Sequence, residues 1–354
     1  MKRVITVLLL IVLVFVMTAC AGTDKKEDKS CDLAMIVNGT SVEDGSFNQA
    51  TWESISTFAV ENELRCKYYT CDESTYDKYM EAVKLAVEDE AKMIVMTGGN
   101  FETAVYDAQR SYPDVNFLLI DGVPHDGDGK YVTESNTVSV IFAEEEAGYL
   151  AGYAVVKDGY RKIGFLGGEA LPPVKRYGYG FVQGAAAAAE ELEAEVELIY
   201  DYADTFEASE DVQKMAAEWY KDGTEVIFAC GGEMGKSVMT AAENNKGKVI
   251  GADVDQSGLS GTVITSAQKN IDAVVRDILK THVSGKFIGG TAFNYAAKND
   301  GVKLDMATSG FSAFTEKQYN KVFNKLKNDK IELKKDTGVS KVSDLTGEWV
   351  TIKE

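Results

Sequence analysis

Two textures alternate along this chain. Short runs dense in Val, Ile, Leu and aromatic residues occupy 33–38, 66–71, 93–97, 116–121 and 137–142, then 162–166, 196–200, 226–229, 248–252 and 262–266. Between them, apolar residues recur at helical spacing over 48–61, 77–88, 101–111, 144–156, 179–192, 209–221, 235–244 and 271–283. Most of the short runs are continuously apolar rather than alternating, as in parallel strands covered on both faces. Strands alternating with helices predict an α/β fold of βαβ units. The halves mirror each other, with five strands in 31–142 and five more in 162–266. The remainder, 271–354, is less regular, with a short strand near 290–295, a basic helix over 315–326 and an antiparallel-looking tail at 348–352. Two doubly wound lobes predict a ligand crevice between them, at the C-terminal ends of the strands.

The first 20 residues follow another pattern. Lys2 and Arg3 precede an almost unbroken apolar run over 4–19, short of the ~20 residues a spanning helix needs and suited to a secretory leader. Thr18 and Ala19 lead into Cys20, which resembles a bacterial lipobox with Met17 where Leu is more usual. In such signals the Cys is acylated and becomes the first mature residue; an uncleaved anchor is the alternative. A polar stretch, GTDKKEDKS, follows as a tether. The expectation is a signal peptide over 1–20, a tether over 21–30 and a lipid anchor on Cys20 at the extracytoplasmic face of the cell membrane. The other cysteines, Cys31, Cys66, Cys71 and Cys230, have no C-x-x-C spacing. Cys31 and Cys66 begin adjacent strands and could bridge, or serve as small buried hydrophobes.

Charge narrows the function. With 37 Lys+Arg against 56 Asp+Glu the net charge is −19, which makes a nucleic-acid polymer a poor partner. Only His125 and His282 are present, so a His-rich metal site is excluded, and no cofactor is implied.

The strand ends carry the candidate chemistry. Asn38 ends the first strand, and Ser46 reads as a helix N-cap with Gln49 as its capping-box partner. Phe47 and Asn48 follow, the ring placed to stack on a flat ligand or to staple the helix start. Asp121 follows four apolar residues and could accept from a ligand hydroxyl or ring N–H, or cap the next turn. Phe206 occupies a comparable strand-end place in the second half, so two rings from opposite lobes could sandwich one planar group; the alternative is a ring tucked beneath its own loop. The run from Cys230 to Ser237, CGGEMGKS, nearly matches a phosphate loop but has Cys in place of the first Gly. It reads better as a tight turn that lets backbone at Gly232 approach a ligand. Asp253 and Lys269 could grip vicinal hydroxyls, or Lys269 could be a solvated helix start.

In order and combination these segments resemble the basic membrane protein family of lipoproteins, substrate-binding proteins of purine-nucleoside ABC transporters. The resemblance runs through DGSFNQ at 44–49, YPDVNF at 112–117 up to Asp121, EEAGYLAG at 145–152, GFLGG at 164–168, Phe206, Gly231-Gly232, GADVDQ at 251–256 and Thr265-Ser266 with Lys269. It implies a type I periplasmic-binding-protein fold: 31–142 plus about 268–290 in one lobe, about 143–267 plus 291–354 in the other. It implies a non-enzymatic, monomeric receptor that delivers a nucleoside to ABC permease and ATPase subunits. Phe47 and Phe206 would hold the base, with Asn48, Asp121 and Gly232 as further contacts and Asp253 and Lys269 on the ribose. Two positions depart from the family pattern: Asn38, where an Asp often reads the purine edge, and Glu233, where smaller or neutral residues are usual. A sensory lipoprotein feeding a kinase, a sugar-binding receptor and a nucleoside hydrolase, with Asp121, Asp253 and Asp255 as metal ligands, are the rival readings.

Overall fold

The computed structural model describes residues 30–39 and 41–353. The leader, Cys20 and all but the last residue of the tether lie outside the described residues. Among those described, no helix is long and apolar enough to cross a membrane.

The first lobe contains β1 (Leu33–Asn38), α1 (Phe47–Glu61), β2 (Cys66–Cys71), α2 (Tyr76–Glu88), β3 (Met93–Thr97), α3 (Glu102–Ser111), β4 (Asn116–Ile120) and β5 (Thr137–Phe142). The second has α4 (Glu144–Asp158), β6 (Lys162–Gly167), α5 (Pro172–Leu192), β7 (Val196–Tyr202) and α6 (Glu210–Lys221). It continues with β8 (Val226–Cys230), α7 (Met234–Asn245), β9 (Lys248–Asp253) and β10 (Val263–Lys269). The chain then returns to the first lobe, where α8 (Ile271–Val283) packs on α1 and β11 (Thr291–Tyr295) pairs in parallel with β5. A last crossing brings β12 (Val302–Leu304), α9 (Glu316–Lys327) and β13 (Val350–Lys353) to the second lobe.

The sheets run β11-β5-β4-β3-β1-β2 and β12-β10-β9-β8-β6-β7-β13, so β1–β5 and β6–β10 occupy equivalent places. Every pairing is parallel except β12 with β10. The central strands β3 and β8 are buried at every residue, which explains their unbroken apolar runs.

Three details depart from the expectation. The strand at 291–295 joins the first sheet rather than the second, and residues 268–269 complete β10 in the second. The crossings therefore fall after Lys269 and Tyr295, where strand pairing ends. The tail pairs in parallel with β7, its Val196 N–H donating to the Trp349 carbonyl, because it enters alongside β7 from the same end. Helix α5 begins seven residues earlier than its periodicity suggested. Its Pro172 and Pro173 sit in the first turn, where the missing N–H groups have no intrahelical partner to lose.

Among the described residues, helices α4 and α5 make the most extensive contact of any two elements. A Cβ on Gly148 would stand 2.1 Å from the Tyr177 carbonyl oxygen, and one on Gly152 2.0 Å from that of Phe181. Reciprocally, a Cβ on Gly180 or Gly184 would stand 2.0 Å from the carbonyl oxygens of Glu145 and Tyr149. The two G-x-x-x-G repeats let the backbones touch, and the N-termini of both helices arrive together beside the crossings.

Candidate functional site

The strand ends of the two lobes face a cavity of about 490 Å³, lined by Asn38, Phe47, Asn48, Asp121, Phe206, Gly232, Asp253 and Lys269. All eight residues singled out from the sequence thus meet in one cleft. A smaller hollow of about 310 Å³ lies apart from the strand ends, between β12 and α9.

Asp121 and Asp253 follow or end the fourth strand of their lobes, and both take the left-handed conformation, φ 63° and 68°. Asp tolerates that region better than most residues, and the matching turns aim both carboxylates inward. Between them stands Lys269, the last residue of β10. Its ammonium pairs with Asp121, lies 3.1 Å from Glu144 Oε1 and 3.3 Å from Asp253 Oδ1, and its side chain is 2% exposed. It also sits 4.8 Å from the centre of the Phe47 ring, within cation–π range. Burial alone would pull the Lys269 pKa down; Asp121, Glu144 and Asp253 outweigh it and hold the pKa above the ordinary value. Burial pushes Asp121 the opposite way, upward, with Glu144 and Asp253 adding to the rise against the pull of Lys269. Asp121 Oδ1 is buried with no hydrogen-bond partner among the described residues, leaving an acceptor for a ligand.

Glu144 was not foreseen. It is fully buried at the first position of α4, where the helix dipole favours negative charge. Its Oε2 accepts from Arg176 Nε at 2.6 Å, and Arg176 reaches Asp336 Oδ1 at 3.5 Å. Burial would raise the Glu144 pKa, but Arg176 and Lys269 together bring it below the ordinary carboxylate value. Three acids in an otherwise apolar helix start, and a lone Arg in the Gly-rich stretch at 172–184, were the available sequence signals.

At the other side of the cavity, Asn48 Oδ1 accepts from Thr97 Oγ1 at 2.7 Å and Asn38 Oδ1 accepts from Ser74 Oγ at 2.8 Å. Each amide thereby keeps its NH₂ group for other partners. Phe206 rests on Gly168: a Cβ there would stand 2.6 Å from the ring, so GFLGG serves to seat the aromatic. Phe206 is not the structural counterpart of Phe47, however. Phe47 opens the helix after the first strand of its lobe, whereas Phe206 follows β7, the second strand of its own.

Ser46 holds the N-cap position of α1 as expected, but its side chain makes no cap bond, and Gln49 Oε1 accepts from the Gly45 N–H at 3.1 Å instead. Asp44 caps α1, its Oδ1 accepting from the backbone N–H of Ser46 and Gln49 and its Oδ2 from that of Asn48. Ser46 is thereby released to cross the cleft and donate to Asp253 Oδ2 at 3.0 Å. Gln256 Nε2 donates to the Gly45 carbonyl at 3.0 Å, and Lys236 Nζ to that of Glu43 at 2.8 Å. Loop 43–46 therefore clasps the second lobe, and Lys236, which a phosphate loop would aim at its anion, is part of the clasp. Asp255 Oδ1 accepts from the Ser257 N–H in its own loop, so it does not join Asp121 and Asp253 in a metal site. Among the described residues no acidic, His or Cys cluster has metal-holding geometry, and Cys31, Cys66, Cys71 and Cys230 are free thiols.

The family model of PnrA-like ABC transporter substrate-binding proteins, Bmp, matches residues 31–337. The chain belongs to this family. Members of the PnrA-like family are substrate-binding proteins rather than enzymes. The chain is 31% identical over 337 residues to the ABC transporter nucleoside-binding protein BmpA of Lactococcus lactis subsp. cremoris, covering 87% of this chain and 93% of that one. It is 27% identical over 336 residues to basic membrane protein A of Borreliella burgdorferi, covering 94% and 95%. Among solved structures, an ABC transporter solute-binding protein of Aeropyrum pernix K1 superposes with a TM-score of 0.77 at 16% identity, covering 88% of this chain and 96% of that one. That likeness establishes the fold, the type I arrangement of the solute-binding proteins.

Proposed function

We propose that this PnrA-like protein binds a purine nucleoside between its lobes and delivers it to an ABC permease, tethered to the membrane through an acylated Cys20. The observation that carries the reading is the polarity of the cavity. At one side the unpartnered Asp121 Oδ1, beside Asp253 and Lys269, offers an acceptor suited to a ribose hydroxyl. Phe47 and Phe206, one from each lobe, supply flat apolar surface, and beyond lie the amides of Asn38 and Asn48. β4 and β1 are two strand spacings apart, so Asn38 stands about 10 Å from Asp121 along the sheet edge, about the span of a ribose with a bicyclic base. A ligand bridging both lobes favours the clasped state, which presents one defined surface to the permease.

Titration calorimetry of the purified full chain in detergent against a nucleoside panel tests this. Saturable binding is expected, and Phe47→Ala and Phe206→Ala should each weaken it about 10–100-fold, from roughly 1–3 kcal/mol of base stacking, with an unchanged unfolding transition. Failure to bind any nucleoside would sink the reading. For the anchor, Cys20→Ser should abolish incorporation of labelled fatty acid and release the chain from membranes; retained label would place the lipid elsewhere.

A further inference from the structure

The charges around the cavity make a one-sided set. Glu43, Asp72, Glu169, Glu207 and Glu233 line its outer part, three of them exposed and two half-buried, while Asp44, Asp121 and Asp253 line the buried part. Eight acidic residues thus line the cavity against one basic residue, Lys269, among the described residues. That ammonium is already shared among Asp121, Glu144 and Asp253. The nearby Lys236 is engaged by the Glu43 carbonyl and by Glu233 at 3.0 Å.

Backbone donors, the other usual means of holding an anion, are in part already engaged. At the start of α1, Asp44 receives the N–H groups of Asn48 and Gln49 and that of Ser46 just before the helix. At the start of α7, where the near-match to a phosphate loop lies, Met234 N–H donates to the Phe206 carbonyl at 2.9 Å and Gly235 N–H to that of Gly232 at 3.1 Å. The amides of Asn48, Gln49, Met234 and Gly235 are thereby withdrawn from anion binding at the two helix N-termini. A cleft lined by one sign of charge concentrates its field on whatever enters.

We infer that the cavity is a charge filter, admitting the uncharged nucleoside and rejecting its phosphate esters. The inference rests on the nucleoside reading above and assigns Glu233, which lines the outer part of the cavity, a role in selectivity. It also fixes the class of reaction that must supply the ligand. A nucleotide outside the cell has to lose its phosphate first, by hydrolysis in which water adds at phosphorus, the P–O ester bond breaks and inorganic phosphate leaves the free hydroxyl.

The test compares inosine and guanosine with their 5′-monophosphates by calorimetry on the full chain. The monophosphates should bind roughly 100-fold more weakly. Raising the salt from about 0.05 to about 0.5 M should narrow the gap, because exposed carboxylates are screened. In E43Q/E207Q/E233Q the ratio of the two affinities should fall roughly tenfold; the salt series on the native chain gives an answer even where that variant does not fold. A monophosphate that binds within about threefold of its nucleoside overturns the filter, as does a gap that neither salt nor the variant moves, which would be steric. Monophosphate binding tighter than nucleoside sinks the filter alone; binding of neither sinks the nucleoside reading with it.

Discussion

Lys269→Met should abolish nucleoside binding and lower folding stability by about 3–5 kcal/mol, the usual cost of removing one partner from a buried ionic group. The ammonium is the common counter-ion of three carboxylates that arrive from β4, α4 and β9. Without it Arg176 still balances Glu144, but Asp121 and Asp253 face each other in a buried site with nothing between them. The loss should depend on pH in a definite sense. The folded-state pKa of Asp121 is already raised above its unfolded value, and removing Lys269 takes away the main influence lowering it. A carboxyl with a raised folded pKa favours the folded state at low pH, where it is protonated in both states, and that advantage is lost as pH rises through the folded value. The deficit of the variant should therefore grow from the ordinary carboxylate range upward through neutrality. Urea unfolding followed by circular dichroism at pH 5 and pH 8 measures it. Equal stability of variant and native chain at both pH values, with binding retained, would show that this cluster neither supports the lobes nor meets the ligand.

Much of the site was legible because each of its residues follows or ends a strand run. Asp121 stands after four apolar residues and Asp253 likewise closes an apolar run, so a doubly wound fold leaves them little choice but to face the cleft, whereas Lys269 lies three residues past the run at 262–266 and joins the site only because β10 extends to it. Glu144 and Arg176 were not legible for the opposite reason. They are 32 residues apart on different helices, and only the close seating of α4 on α5 makes them a pair. The exchange of roles between Asp44 and Ser46 has the same origin. Both are good caps, and the choice is made by Asp253, more than 200 residues away, which engages the Ser46 hydroxyl. Strand direction was illegible at the tail, since 350–353 has strand character but nothing local says which way its neighbour runs. The edge strand β11 carries the weakest apolar signal because it is mostly exposed, so its lobe was misassigned.

Gly184→Ala should destabilise the chain by about 3 kcal/mol or more, the upper range for overpacking, although Gly→Ala inside a helix ordinarily stabilises by roughly 0.5–1 kcal/mol. The added methyl would stand 2.0 Å from the Tyr149 carbonyl oxygen, a backbone atom that cannot rotate aside. Relief requires α4 and α5 to separate along their length, because Gly148, Gly152 and Gly180 make the same contact at successive turns. Separation would also part Glu144 from Arg176, whose bond of 2.6 Å spans the N-terminal ends of the pair. Lys269 then loses one of its three carboxylates from position, so binding should weaken in whatever fraction still folds. Gly235→Ala is the control: it lies in α7, and its nearest neighbour to an added Cβ is the Ala229 methyl at 3.9 Å. That variant should be neutral or slightly more stable. Chemical unfolding of the two proteins side by side separates a contact effect from a general intolerance of methyl groups. If Gly184→Ala matches Gly235→Ala in stability, the two helices are free to move apart, and the close backbone approach is not what positions Glu144 beside the ligand site.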